Sequence, residues 1–300
     1  MAIMSKKNTK GRFSVSLTAY FLVLPSIGVF FVFFIFPIIY SLYLSFYSWD
    51  LLTPARFIGL ANYQDLFTSK YFFETLGNST KYSVGVVVFA MALGLLLALA
   101  LNNPSKLSAL FQTFIFSSYV VSWVAIALLW IWMLDPQYGL VNFVMNLVRL
   151  SSVDWLGSHK MALFSLILVS TWKIVGYPMI IFLAGLGAIP KEYYEAAQID
   201  GAGAWHRFCY ITWPLLSPIS LFLLITLMIT SFQAFDIVQL MTQGGPIHAT
   251  TIYVYYIYEM AFMQVMKIGR ASAAVVIFFV IILSFVLFQY RLLRRRVQYL

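Results

Sequence analysis

Charge is what this sequence has least of. Only 10% of its 300 residues are Asp, Glu, Lys or Arg, against about a quarter in ordinary soluble domains. So few charges cannot cover the surface of a water-soluble globule of this length. The single cysteine, Cys209, excludes an intramolecular disulfide and any cysteine-cluster metal site. Three histidines, His159, His206 and His248, are too scattered to make a metal site together. No G-x-x-x-x-G-K-[ST] occurs, so the chain has no Walker A loop for ATP phosphates. No internal repeat of about 20–50 residues is visible. The apolar runs hold no nucleophile–base or metal constellation, which argues against an intramembrane enzyme.

What is present is apolar: 62% of the chain, including 28 Phe, 19 Tyr and 8 Trp. A helix needs about 20 apolar residues to cross a bilayer core, and six stretches qualify. The first is centred near Val29 in the charge-free run Phe13 to Trp49. The others run roughly over Tyr82 to Leu101, Ala109 to Leu134, Met161 to Leu186, Pro214 to Met241 and Ala271 to Tyr290. The first apolar run is too long for a signal peptide's apolar region, and no small-x-small site follows it, so it reads as a retained helix. Most of the aromatic excess suits packing and interfacial belts. The expected fold is an all-α integral membrane protein with six transmembrane helices.

The net charge of +9 does not point to nucleic acid, because the basic residues cluster at the two ends and between apolar runs. With the N-terminus inside, the cytoplasmic segments hold Lys6, Lys7, Lys10, Arg12, Lys106, Lys191, Arg207, Arg291, Arg294, Arg295 and Arg296. The outer segments hold Arg56, Lys70, Lys81, Arg149, Lys160, Lys267 and Arg270. Both termini are therefore expected to be cytoplasmic. The division is a tail over 1–19, a transmembrane domain over 20–292, and a basic tail over 293–300 that anchors to anionic lipid. The one sizeable cytoplasmic loop is 187–213, where a soluble partner has to meet the protein.

Within that loop Pro190 suits the first turn of a helix, with Glu192 near the helix's positive end. Gly201 can adopt a positive φ and end the helix. A second short helix is expected from Ala202 to Tyr210, before Pro214 opens the fifth span. Tyr193, Tyr194 and Trp205 offer apolar anchors. Read from composition alone, the segment is rather an amphipathic connector lying on lipid headgroups, since interfacial helices with aromatics are common.

Glu195-Ala196-Ala197, three residues, Gly201, nine residues, then Ile211-x-x-Pro214 resembles the EAA motif of the membrane subunits of binding-protein-dependent ABC importers. Trp213 stands where the family pattern has Leu. Trp130-x-Trp132-Met133-Leu134-x-Pro136, Phe182-Leu183-Ala184-Gly185-Leu186, Phe235-Asp236 and Gly244-Gly245-Pro246 resemble the family's carbohydrate branch. The resemblance implies a type I importer permease (MetI-like) architecture in the prokaryotic plasma membrane. It also implies a second permease subunit, two ATPase subunits that bind ATP and magnesium, and an extracytoplasmic substrate-binding protein. This chain would itself hold no cofactor. Glu195, Ala196, Ala197, Asp200, Gly201, Ile211 and Pro214 would then form the coupling element toward the ATPase. An ion-gradient-driven secondary transporter is the alternative, but matching halves and abundant intramembrane acids are missing.

Two ionisable residues fall within the spans, Lys173 and Asp236. Either they face the translocation path and approach one another, or they sit near a membrane boundary, where Lys173 can snorkel. Pro178 predicts a kink in the fourth span. Gln233 and Ser231 can bond a hydroxylated solute or a neighbouring helix. Tyr253, Tyr255, Tyr256 and Tyr258 are expected to form an outer belt or docking face.

Overall fold

The structure is a computed structural model that describes residues 10–263 and 266–294. Lys6, Lys7, Arg295 and Arg296, and with them most of the two expected tails, lie outside the described residues. The chain begins with α1 (Lys10–Phe30), a π turn over Phe31–Ile35, and α2 (Phe36–Leu44), which together form one span from Ala19 to Leu44. A small antiparallel hairpin follows, β1 (Tyr47–Ser48) with β2 (Arg56–Phe57), in the register Tyr47 with Phe57. In its connecting loop the Asp50 carboxylate accepts bonds from the Thr53 amide (2.7 Å), the Thr53 hydroxyl (2.8 Å) and the Leu52 amide (3.0 Å). Those bonds hold its carboxyl below the usual range. Then come α3 (Ala61–Thr68) and α4 (Lys70–Ala100).

The apolar run placed the second span at Tyr82, yet α4 begins twelve residues earlier at Lys70. Polar residues there are kept helical by tertiary bonds: the buried Ser79 hydroxyl accepts from the Tyr253 amide at 2.8 Å, and Asn78 donates to the His248 carbonyl at 3.0 Å. Hydropathy reports burial in lipid, whereas this end of α4 is buried in protein.

The third stretch is two helices, α5 (Lys106–Val120) and α6 (Trp123–Met133), bent by 101°. Val121 and Ser122 are extended, and the Ser122 hydroxyl caps α6 by accepting from the Val124 amide. After α7 (Leu140–Leu147), the fourth stretch is α8 (Ala162–Ile174) and α9 (Gly176–Ala188), bent by 45°. Pro178 supplies the expected kink because it cannot donate to the preceding turn. Next to it a Cβ on Gly176 would lie 2.7 Å from the Phe116 Cα, so only glycine lets α9 cross α5 this closely.

Helix α10 (Lys191–Ile199) leads through an elbow to α11 (Ala204–Arg207), a π turn over Phe208–Thr212, and α12 (Trp213–Leu215). This run therefore extends well past Tyr210. Pro214 lies inside it, and the 62° break falls at Leu216–Ser217, where α13 (Ser217–Phe232) begins. A proline in the first turn of a helical piece needs no donor, so Pro214 and Pro218 are accommodated without ending the run. The fifth stretch stops at Phe232, and α14 (Asp236–Met241) is a separate short helix. The chain ends with α15 (Tyr253–Tyr258), a π turn over Glu259–Met263, and α16 (Ile268–Arg294). Among the described residues three helices are long and apolar enough to cross a bilayer, and the total is up to six when each bent pair counts as one span.

Three apolar clusters hold the elements together. One joins α4, α6, α8 and α14 around Tyr82, Leu166 and Val238; a second joins α4, α9 and α13 around Met179, Phe182 and Leu223. The third joins α3, α4, α15 and α16, and it corrects the expected tyrosine belt. Tyr253, Tyr255 and Tyr256 are 1–3% exposed, and Tyr253 donates to the Ala274 carbonyl at 2.9 Å. Tyrosine buries a large ring when its hydroxyl finds a partner.

The same end ties the first span to the last. Asn62 donates to the carbonyls of Ser45 (2.8 Å) and Tyr47 (2.9 Å), and the Ile268 amide donates to the Trp49 carbonyl (2.9 Å). A Cβ at Gly269 would overlap the Tyr47 carbonyl oxygen. Gly269→Ala is expected to push α16 off this cap and lower stability by about 1–3 kcal/mol, read as a lower Tm of the detergent-purified protein. An unchanged Tm would show that the cap yields without loss.

Candidate functional site

Two interruptions within spans, the α5–α6 break and the α8–α9 bend, meet the end of the fifth stretch, where α13 gives way to α14, around one cavity of about 690 Å³. Backbone that leaves the helical pattern at membrane depth is tolerated only against protein or a water-filled cavity. The walls are Tyr82 and Val86 of α4, Tyr119 to Trp123 at the first break, Ser170 to Tyr177 at the second, and Thr226 to Ile237 at the end of the fifth stretch.

Lys173, Gln233 and Asp236, from separate parts of the sequence, all line this cavity. Lys173 is 3% exposed. Its ammonium donates to the carbonyls of Tyr119 (3.0 Å) and Ser118 (3.3 Å), and it sits 4.8 Å from the Trp123 ring centroid and 5.7 Å from that of Tyr119. Those carbonyls belong to the last turn of α5, which has no intrahelical donors and carries the negative end of the helix dipole. Lys173 thus closes the helix end that the break exposes, rather than snorkelling to an interface. Among the described residues no ion pair joins it to Asp236.

Asp236 does not lie within a span helix. It opens α14 beyond the break, and both it and Gln233 are exposed with no hydrogen bond from their side chains to the described residues. Ser231 is buried and donates back to the Met228 carbonyl at 3.0 Å, so it serves its own helix. Sequence reasoning did not single out the aromatic wall. Tyr119 and Tyr177 stack at 5.3 Å and 16°, and Trp123 and Phe235 stand beside them. The available signal was their position: each lies within three residues of a helix break.

The loop residues form a second constellation. Helix α10 ends as a Schellman motif: the Ala202 amide donates to the Ala197 carbonyl (2.8 Å) and the Gly201 amide to Gln198 (3.0 Å), with Gly201 at φ +78°. Glu195, Ala196, Asp200 and Gly201 are exposed, Ala197 is half-buried, and Ile199 stands 87% exposed. Of the aromatic anchors, Trp205 is 72% exposed and Tyr193 is also out. Tyr194 instead faces inward, where its hydroxyl bonds the buried Thr212 hydroxyl at 3.0 Å and its ring packs with Ile211 on the α4–α9–α13 cluster. That bond, which spacing alone does not reveal, ties α10 to the run holding Ile211 and Pro214.

Lys173→Met keeps the stem but leaves two carbonyls at the end of α5 without their donor. A loss of about 1–3 kcal/mol is expected from such orphaned groups, read as a lower Tm of the purified protein. An unchanged Tm would mean that another donor caps α5.

Residues 90–299 match the family model described as a binding-protein-dependent transport system inner membrane component. The chain is 34% identical over 292 residues to the sn-glycerol-3-phosphate transport system permease protein UgpA of Yersinia pestis, covering 96% of this chain and 97% of that one. It is 34% identical over 275 residues to the probable ABC transporter permease protein YurN of Bacillus subtilis, covering 90% and 94%. In three dimensions it is similar to a chain of a bacterial ABC transporter involved in the import of the acidic polysaccharide alginate. There the TM-score is 0.83 at 26% identity, over 96% of this chain and 99% of the other. The polytopic helical fold, the interrupted spans and the elbowed loop therefore have one source: this chain belongs to the family of inner membrane permease components of binding-protein-dependent ABC transport systems.

Proposed function

We propose that this chain is one of two permease subunits of an ATP-driven carbohydrate importer in a prokaryotic inner membrane. It forms half of the solute path and is coupled through α10 to separate ATPase subunits. The observation that carries this reading is the pair of sites at opposite ends of shared helices. The run that leaves the elbow at Gly201 continues into α13, whose far end supplies Thr226 to Phe232 and the following break to the cavity. A displacement applied at α10 is passed by Tyr194 and Thr212 to that run. The packed contacts of α9 with α13 then share it with α8, which carries Lys173.

The exposed face of α10 suits a protein partner. Ala196 lets a facing surface approach the backbone, Glu195 and Asp200 offer charge for register, and Ile199 and Trp205 are apolar anchors left in the open. Nucleotide and magnesium belong to the ATPases in this scheme, since the chain has no Walker A loop. Carbohydrate is favoured by the aromatic walls and the free amide and carboxylate of the cavity. A similar transporter whose structure is in complex with an alginate pentasaccharide-bound periplasmic protein supports both the solute class and an external binding protein as a third partner.

With Cys209 replaced by Ser, Ala196→Cys is expected to crosslink to the ATPase subunit in the active complex; an active complex that yields no crosslink would remove α10 from the coupling interface. Gly201→Val places a β-branched side chain in the left-handed region, where residues other than glycine are penalised by about 1–2 kcal/mol. Solute-stimulated ATP hydrolysis is then expected to fall while basal hydrolysis persists, as measured in proteoliposomes. Retained stimulation would show that the elbow angle is not transmitted.

A further inference from the structure

Resting on the importer reading above, we infer that the solute passing this chain is an uncharged polyhydroxylated one, a neutral sugar or polyol, and not a phosphorylated or uronic one. The inference departs from the solutes of similar proteins, which are sn-glycerol-3-phosphate and an acidic polysaccharide.

The cavity has one residue of each sign, and they differ in availability. Among the described residues Lys173 is the only cation on the wall, and it is spent: its ammonium holds the Ser118 and Tyr119 carbonyls, lies against two aromatic rings, and is almost fully covered. Turning it toward a phosphate or carboxylate would strip the two carbonyls at the end of α5 of the donor that now holds them. Asp236 is the opposite case. It is exposed, and neither an ion pair nor a hydrogen bond to the described residues restrains it. An anionic solute would meet an uncompensated like charge there. A hydroxylated solute would meet an acceptor able to take two hydroxyl protons.

The remaining groups point the same way. Gln233, exposed three residues before Asp236, offers a donor and an acceptor. The hydroxyls of Thr226 and Thr230 donate to their own helix, at 2.9 Å and 3.0 Å to the Phe222 and Thr226 carbonyls, which leaves their lone pairs as acceptors. The stacked Tyr119 and Tyr177, with Trp123 and Phe235, present flat apolar faces of negative potential. Such faces receive the C–H face of a sugar ring and repel anions. The second permease subunit would complete the path, but this half brings it no free cation.

The test is import by the whole complex, reconstituted with its ATPases and binding protein in vesicles. It is offered a mixed pool of glycerol, sorbitol, neutral di- and trisaccharides, sn-glycerol-3-phosphate and a uronate trisaccharide, and the lumen is read by mass spectrometry with and without ATP. ATP-dependent accumulation of neutral members alone is expected. The isosteric Asp236→Asn should slow it about tenfold, the equivalent of one hydrogen bond to a charged group. Accumulation of the phosphate or the uronate by the native complex overturns the inference and leaves the importer reading standing. Neutral uptake at the native rate in Asp236→Asn overturns the role of Asp236 as acceptor. No ATP-dependent accumulation of any member overturns the importer reading and the inference with it.

Discussion

In hydrocarbon, a backbone carbonyl without a donor loses several kcal/mol, so a spanning helix can be interrupted only where something else satisfies the freed groups. Among the described residues this protein has up to six spans, three of them bent pairs, and the ammonium of Lys173 on the carbonyls of Ser118 and Tyr119 is the repair at the sharpest bend. A charge inside a membrane is itself expensive. Placed at the negative end of α5 and between two aromatic rings, it offsets its own burial and that of the helix end together. The cavity exists because α5 can stop there.

Around that point the molecule has a firm end and a yielding end. At the firm end, the hairpin, α3, α15 and the start of α16 are joined by buried amide, tyrosine and backbone hydrogen bonds. At the other, α10 and the run after it touch the helical body mainly through Tyr194, Thr212 and Ile211. In the proposed coupling scheme this asymmetry would serve as a lever: force entering at α10 would meet little local resistance and pass on through α9 and α13, whose close packing transmits displacement rather than absorbing it.

Much of the site was legible in the residues, for identifiable reasons. The elbow at Gly201 could be read because glycine takes a left-handed C′ position without steric cost, and the structure puts it there at φ +78°. Lys173 and Asp236 could be read because charge is rare in apolar runs. Their relation could not. They line one cavity without forming an ion pair among the described residues, a committed cation and a free carboxylate, because the ammonium is taken up by two carbonyls at an open helix end. Tyr194 read as an outward anchor and packs inward, since i and i+1 positions of a helix face different ways and composition does not say which way is in.

Composition and periodicity by themselves determined that this is a membrane protein, that up to six stretches are apolar enough to cross, and where the loop between the fourth and fifth of them bends. Those properties are sums over neighbours in sequence, and transfer free energy is close to additive along a chain. Tertiary structure alone decided that the 101° break at Val121–Ser122, the bend at Gly176 and the end of α13 face one another. It also decided that three tyrosines of α15 are core rather than belt. Each depends on which apolar face meets which, and in a chain that is hydrophobic nearly all round the pattern carries no such direction.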